Sequence, residues 1–336
     1  MSNISLWKLV GVISFSATIL AGCGGGSGGG NGGGTAAAAS APVTITSANA
    51  PQVAGASYDN AVGLNGASSG GGVLTGAVTQ TGSGFDVGGV LATALRTAQP
   101  LIATGQFSGV TGAVISSNNI ACTNGGNFSF SLDDVDNSGT ITSGDTMSIS
   151  FANCNEAGSI LNGSIALTGL VVTGDITTFP YTLQFTMQMN NLQAQENGLT
   201  DIANGAATYS ESSTDGVVTT SRLSGASVQY TSAGVTATIT AFQIDSTDNA
   251  GTGAYTFNVA ATVSSPSMGG SATIVTNTTF QGNGSGNPFV GQAKATGANN
   301  SSVTLTAIDT VNVRLDVDED GDGVTDSTTN TTWSAL

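Results

Sequence analysis

The chain has no histidine in 336 residues, and its Lys and Arg together number only 5. The first absence removes His-based triads, His metal ligands and the usual general base near neutral pH. The second removes nucleic acid as a partner, because phosphate recognition needs clustered cations. Charged residues make up only 8% of the chain, so Ser, Thr, Asn and Gly carry most of its polarity, as in exported proteins. Cysteine is limited to 3 residues and no Cys-x-x-Cys spacing occurs, which excludes the usual redox pair. Other catalytic signatures fail as well. Gly66-Ala-Ser68-Ser-Gly70 fits Gly-x-Ser-x-Gly but has no His to serve it, and Ser5 with Lys8 gives the single Ser-x-x-Lys pattern. Glu156, Glu196 and Glu211 have no visible carboxylate partner for glycoside hydrolysis. No catalytic role is expected.

What is present begins with an apolar run, Leu9 to Ile19, that is too short to span a membrane. Leu20-Ala21-Gly22-Cys23 follows it and reads as a lipobox, so residues 1–22 are expected to be a lipoprotein signal peptide with Lys8 as its positive charge. Cleavage would leave Cys23 to carry lipid (palmitate), and more than one acyl chain gives stable anchoring. The bland alternative is an ordinary cleaved secretory signal. Gly24 rather than Asp after the lipid Cys agrees with outer-membrane sorting. Residues 23–54 are Gly, Ala, Ser and Thr rich, with too little apolar surface to offset ordering entropy, and read as a flexible tether reaching roughly 30 Å.

Residues 55–336 then read as a single β-rich domain. Val90, Leu91 and Leu95 with Ala94 and Ala98 suggest one short helix near 89–99, ending by Pro100. Strand patterns occupy 182–189, 206–210, 227–230, 235–244, 254–263, 272–280, 303–308 and 311–317. Tyr255, Phe257 and Val259 share a face, as do Val311, Val313, Leu315 and Val317. Asn162-Gly163, Asn204-Gly205 and Ser224-Gly225 read as tight turns between consecutive strands. The expected fold is all-β, an antiparallel meander forming a large open sheet or a barrel. A parallel β-solenoid is the alternative, although no fixed repeat is found.

The formal charge of −16 is unevenly placed, with acids concentrated at 133–145 and 309–326. Asp134, Asp136, Ser138, Thr140 and Asp145 stand at positions 1, 3, 5, 7 and 12 of a twelve-residue calcium loop, with Gly139 at the sharp turn. Asp145 replaces the usual Glu, a shorter reach. Phe128, Phe130 and Leu132 before the loop would face Phe151, Ile149 and Met147 after it, making a β-hairpin rather than a helix-loop-helix. Cys122 and Cys154 flank that hairpin and are expected to form a disulfide in an oxidising compartment. A second loop offers Asp318, Asp320, Asp322 and Asp326 with the Val324 carbonyl, but has Thr329 where a closing carboxylate would stand.

This second loop resembles the Asp-x-Asp-Gly-Asp-Gly core of EF-hand, dockerin and thrombospondin type 3 calcium repeats. Cys122-x-x-Gly125-Gly126, the hairpin loop, Phe151-x-Asn153-Cys154 and Leu161-Asn162-Gly163 together resemble a group of uncharacterised Gly-rich bacterial outer-membrane lipoproteins. The C-terminal Thr332-Trp333 and Leu336 are similar to how such chains end. The resemblance implies an outer-membrane lipoprotein facing the periplasm or the cell surface. The expected role is non-catalytic: a structural or ligand-binding envelope protein stabilised by Ca2+, whose partners are the membrane and an unknown envelope or extracellular ligand. A surface adhesin or biofilm matrix component is the alternative, and a glycan-active envelope enzyme a third.

Overall fold

The computed structural model describes residues 40–68, 114–136, 138, 141–156, 159–174, 179–196, 199–232, 234–284 and 286–336. Cys23, Thr140 and the expected helix at 89–99 lie outside these residues. One helix, α1 (Ala50–Ser68), precedes fourteen strands: β1 (Val114–Ala121), β2 (Asn127–Asp133), β3 (Thr146–Glu156), β4 (Ser159–Thr173), β5 (Tyr181–Glu196), β6 (Leu199–Ser213) and β7 (Val218–Ser232). The series continues with β8 (Val235–Asn249), β9 (Ala254–Ser265), β10 (Gly270–Asn283), β11 (Val290–Thr296), β12 (Ser302–Ala307), β13 (Asn312–Asp318) and β14 (Ser327–Thr332). They form one antiparallel sheet in strict chain order, the meander expected from the sequence, open between β1 and β14 among the described residues. No described helix is long and apolar enough to cross a membrane.

Alternation builds the core. Along β5, Tyr181, Leu183, Phe185, Met187 and Met189 are buried on one face, and Val313, Leu315 and Val317 repeat the pattern on β13. Val311, expected to share that last stripe, lies in the turn before β13 and is 58% exposed. The turn begins because Asp309 Oδ1 accepts the N–H groups of Val311 and Asn312, both at 2.7 Å, which curls the chain before pairing starts.

The strands are far longer than their apolar patterns. Asn162-Gly163, Asn204-Gly205 and Ser224-Gly225 are not turns; they fall inside β4, β6 and β7. The pairing register shifts at Asn162/Ser164, and again across β5–β6 where Gly205 meets Met189. Asn153, at the β3–β4 shift between Phe151 and Cys154, and Asn191, at the β5–β6 shift, have positive φ, and their N–H groups are accepted by Asn162 Oδ1 at 2.9 Å and Asn204 Oδ1 at 2.7 Å. A Cβ on Gly163 would lie 1.9 Å from the Asn191 carbonyl oxygen. Glycine is therefore required by close backbone approach, and the Asn-Gly pairs form a diagonal line of bulges that add local twist.

The expected tether ends earlier than residue 54. Residues 40–49 form a strap fixed to successive turns: Val43 N–H donates to Ser271 O at 2.9 Å and its carbonyl accepts from Ala298 at 2.7 Å. Ile45 is fully buried, and its N–H donates to Ser301 Oγ at 2.9 Å. The chain then enters α1, with Pro51 in the first turn where its missing N–H costs nothing. Ala50, Val53, Ala54, Ser57, Tyr58 and Ala61 are buried at helical spacing, and α1 lies against β7 to β13. Tyr58 anchors it, with ring centroids 4.9 Å from Trp333 and 5.4 Å from Phe280.

Connections alternate between the two ends of the sheet. The strap meets the turns β9–β10, β11–β12 and β13–β14 at one end, here called proximal. The β2–β3, β4–β5, β6–β7, β8–β9, β10–β11 and β12–β13 turns lie at the other, distal end.

Candidate functional site

The first acidic loop closes the β2–β3 hairpin at the distal end. Phe128 pairs with Phe151, Phe130 with Ile149 and Leu132 with Met147, the expected register. At the opposite end of the same hairpin Cys122 and Cys154 form a disulfide, with Cα atoms 5.4 Å apart. The loop is thus held between a covalent clasp and a registered pair of strands. Asp134 and Asp145 are buried and Asp136 is exposed, and one carboxylate oxygen from each lies within 4.8 Å of the others. Backbone N–H groups currently serve these oxygens. Asp145 accepts from Val135 at 3.0 Å and from Thr142 at 2.7 Å, and Asp134 accepts from Ser138 at 3.1 Å. Hydrogen bonds from Ser138 and then Thr142 hold the Asp136 carboxyl below its usual range.

The second loop closes β13–β14 at the proximal end. Asp318, Asp320 and Asp326 gather their carboxylate oxygens within 4.8 Å. Asp322 is outside this group and instead accepts the Val324 N–H at 2.7 Å, while the Val324 side chain stands 63% exposed. Asp318 accepts from Gly321 at 2.8 Å and Gly323 at 3.0 Å, so the two glycines carry the chain tightly around it. Glu319 reaches away from the loop to accept the Ser47 N–H at 2.7 Å, and hydrogen bonding to the Ser47 side chain and then to this N–H holds its carboxyl below the usual range. The loop is thereby joined to the strap that leads into α1.

Both donor sets suit a hard divalent cation. Oxygens coordinating Ca2+ at about 2.3–2.6 Å sit roughly 3–5 Å from one another, the spacing of these carboxylates. The two ion pairs among the described residues, Arg222–Asp245 and Arg314–Asp316, involve other acids.

A third cluster was not legible in the sequence. Glu211 is 3% exposed on the inward face of β6, and its carboxylate accepts from the Tyr181 and Tyr209 hydroxyls. Burial pushes the Glu211 carboxyl upward against the two hydrogen bonds, which pull it down, and Asp248 raises it further. Burial likewise pushes Asp248 to about 6, and burial with the Asp248 charge pushes Tyr255 to about 12. Ser221 and Ser246 complete the cluster with a hydroxyl contact of 2.7 Å. The signal was the spacing of Tyr209 and Glu211, two residues apart and hence on the same inward face of one strand. On the outward face of the same strands a polar groove of about 370 Å³ is lined by Gln184, Ser212, Thr220, Arg222 and Asp245.

No family model, curated protein or solved structure matches this chain. The functional reading therefore rests on the residues and their geometry.

Proposed function

We propose that the protein is a lipid-anchored, non-catalytic β-sheet protein of the cell envelope, stabilised by calcium, with a structural or ligand-binding role. The observation that carries the reading is the pair of three-carboxylate groups, each at a strand connection and each within 4.8 Å. Asp134, Asp136 and Asp145 would hold one ion, and Asp318, Asp320 and Asp326 the other. When bound, the cation supplies charge neutralisation and no bond-breaking chemistry. The chain's own contribution is to fix the carboxylates on glycine-turned loops, so that ordering the loops secures the β2–β3 hairpin and, through Glu319 and Ser47, the strap into α1. The lipobox at Leu20 to Cys23 supports outer-membrane anchoring.

Calorimetric titration of the purified full chain with CaCl2 tests the reading. The expected result is two sites with dissociation constants on the order of 0.1–1 mM, the range of extracellular modules. Asp145→Asn should remove one and Asp318→Asn the other. Absence of heat together with an unchanged melting temperature would reject calcium stabilisation. Anchoring is scored separately, by the mass of the envelope-extracted protein with Cys23 intact and with Cys23→Ser.

A further inference from the structure

Turns usually carry polar residues, and among the described residues those at the proximal end do, with only Val235 and Val324 standing out as exposed large apolar side chains. The distal end differs. Of the eleven large apolar side chains exposed among the described residues, seven occupy distal turns or their first paired residue: Val135, Phe179, Val217, Phe289, Val290, Ile308 and Val311. Val171, near the distal end of β4, extends the set.

The turns that carry them are joined into a rim, with an apolar group on either side of the β8–β9 turn. The Phe179 ring lies against Gly216, where an added Cβ would come within 2.4 Å of it, so Phe179 and Val217 are neighbours across two turns. The Val217 carbonyl accepts the Ala250 N–H at 2.8 Å, and Gly253 accepts from Gly284 at 2.8 Å. Asn287 then donates to the Thr310 carbonyl at 3.2 Å, joining the turn of Phe289 to that of Ile308 and Val311. The valines are held in place. Asp215 Oδ1 accepts the Val217 N–H at 2.8 Å, and Asp309 Oδ1 accepts that of Val311 at 2.7 Å, the same device in two turns. Preorganised apolar tips lose little entropy on contact, and exposed large apolar side chains gathered at one end of the sheet mark an interaction surface.

Charge selects the occupant. The described distal turns contain Asp215 and Asp309, with Asp134, Asp136 and Asp145 on the first acidic loop, and no Lys or Arg. A second copy would set acid against acid, in a chain of net charge −16. A bilayer surface is engaged through Lys, Arg and Trp around an apolar face, and the rim has none of these. We propose that the rim docks a protein partner presenting apolar side chains within a basic surface, the two phenylalanines serving as anchors and the aspartates as the complementary charge. The inference deepens the ligand-binding reading above and rests on it, but it requires neither the calcium loops nor the lipid.

The test uses the full chain with Cys23→Ser and a fluorescent eighteen-residue amphipathic Leu/Lys peptide, with a Leu/Glu peptide of the same pattern as control. Binding of the Leu/Lys peptide is expected in the range of roughly 10–100 µM and should weaken with salt. The combined Phe179→Ser, Val217→Ser, Phe289→Ser and Val311→Ser variant should bind about tenfold more weakly. Asp215→Asn with Asp309→Asn, which keeps the turn acceptors and removes the charge, should bind about threefold more weakly. Should the combined variant melt early, Phe289→Ser alone carries the comparison. Equal binding by the rim variant, equal binding of the Leu/Glu peptide, or no binding of the Leu/Lys peptide would overturn the proposal. So would rim-dependent dimerisation, or rim-dependent capture by phosphatidylcholine vesicles. Calcium titration of the same samples separates these outcomes from failure of the calcium reading.

Discussion

Asp248 should make the protein less stable as pH rises, and Asp248→Asn should reverse that loss. Its carboxyl lies inward on β8 between Thr219 and Tyr255 of the adjoining strands, and burial raises it from 3.8 to about 6. Because the folded value is above the unfolded one, the folded state favours the protonated form. The contribution to stability is fully present below pH 3.8 and is lost as pH rises through about 6. A shift of this size corresponds to about 3 kcal/mol, which the remaining solvent contact of this partly buried group reduces to about 2 kcal/mol. An amide at this position has no charge to desolvate. The variant should therefore be about 2 kcal/mol more stable than the parent at pH 7.5 and nearly equal to it at pH 4, a difference of roughly 4–6 °C in melting temperature at the higher pH. Thermal and urea unfolding from pH 4 to 8 would measure this. A variant equally or less stable at pH 7.5 would refute the argument, since the ionised carboxylate would then have a compensating partner inside the sheet.

Cys122→Ser with Cys154→Ser opens a loop of sequence separation 32 and should cost about 3–4 kcal/mol in denaturant unfolding. Gly163→Ala should cost more than Gly169→Ala, although both residues have positive φ in β4. Gly169 has nothing within 4 Å of a new Cβ and should lose about 1–2 kcal/mol, whereas at Gly163 the Asn191 carbonyl must also move, for a total of about 3 kcal/mol or more. Calcium at about ten to a hundred times its dissociation constant should stabilise each occupied loop by about 1.4–2.7 kcal/mol, and Asp145→Asn should abolish the share of the first loop. Differential scanning calorimetry with and without chelator would measure that share.

The β2–β3 hairpin was readable down to its register, because uninterrupted alternation on both arms of a short loop leaves one pairing that puts Phe128, Phe130 and Leu132 opposite apolar residues. The middle strands were legible only as fragments. Asn-Gly has the same local chemistry in a hairpin turn and in a bulge, and only the neighbouring strand distinguishes them; the Asn191 carbonyl against Gly163 is such a neighbour. Helix α1 was hidden for a different reason. Its buried stripe is built from Ala50, Ala54, Ser57 and Ala61, residues too small to show a hydrophobic period, with Val53 and Tyr58 as its few bulky members. Glu211 escaped notice because its spacing from Tyr209 shows a shared face but not which face is inward, and the Tyr181 hydroxyl comes from the neighbouring strand. The acidic loops were visible because their ligand spacing is local, but the outward turn of Asp322 is a matter of backbone path.

Strict chain-order pairing has a consequence for how such a molecule can change over generations. Each interior strand bonds only to the strands before and after it, so no strand is committed to a distant partner by sequence order. Removing β5 and β6 together would leave β4 and β7 adjacent and still antiparallel, because an even number of strands restores the original direction. Removing one would not. The natural unit of insertion, loss or duplication is therefore the hairpin, and the width of the sheet can vary in steps of two while both loop-bearing ends keep their sides.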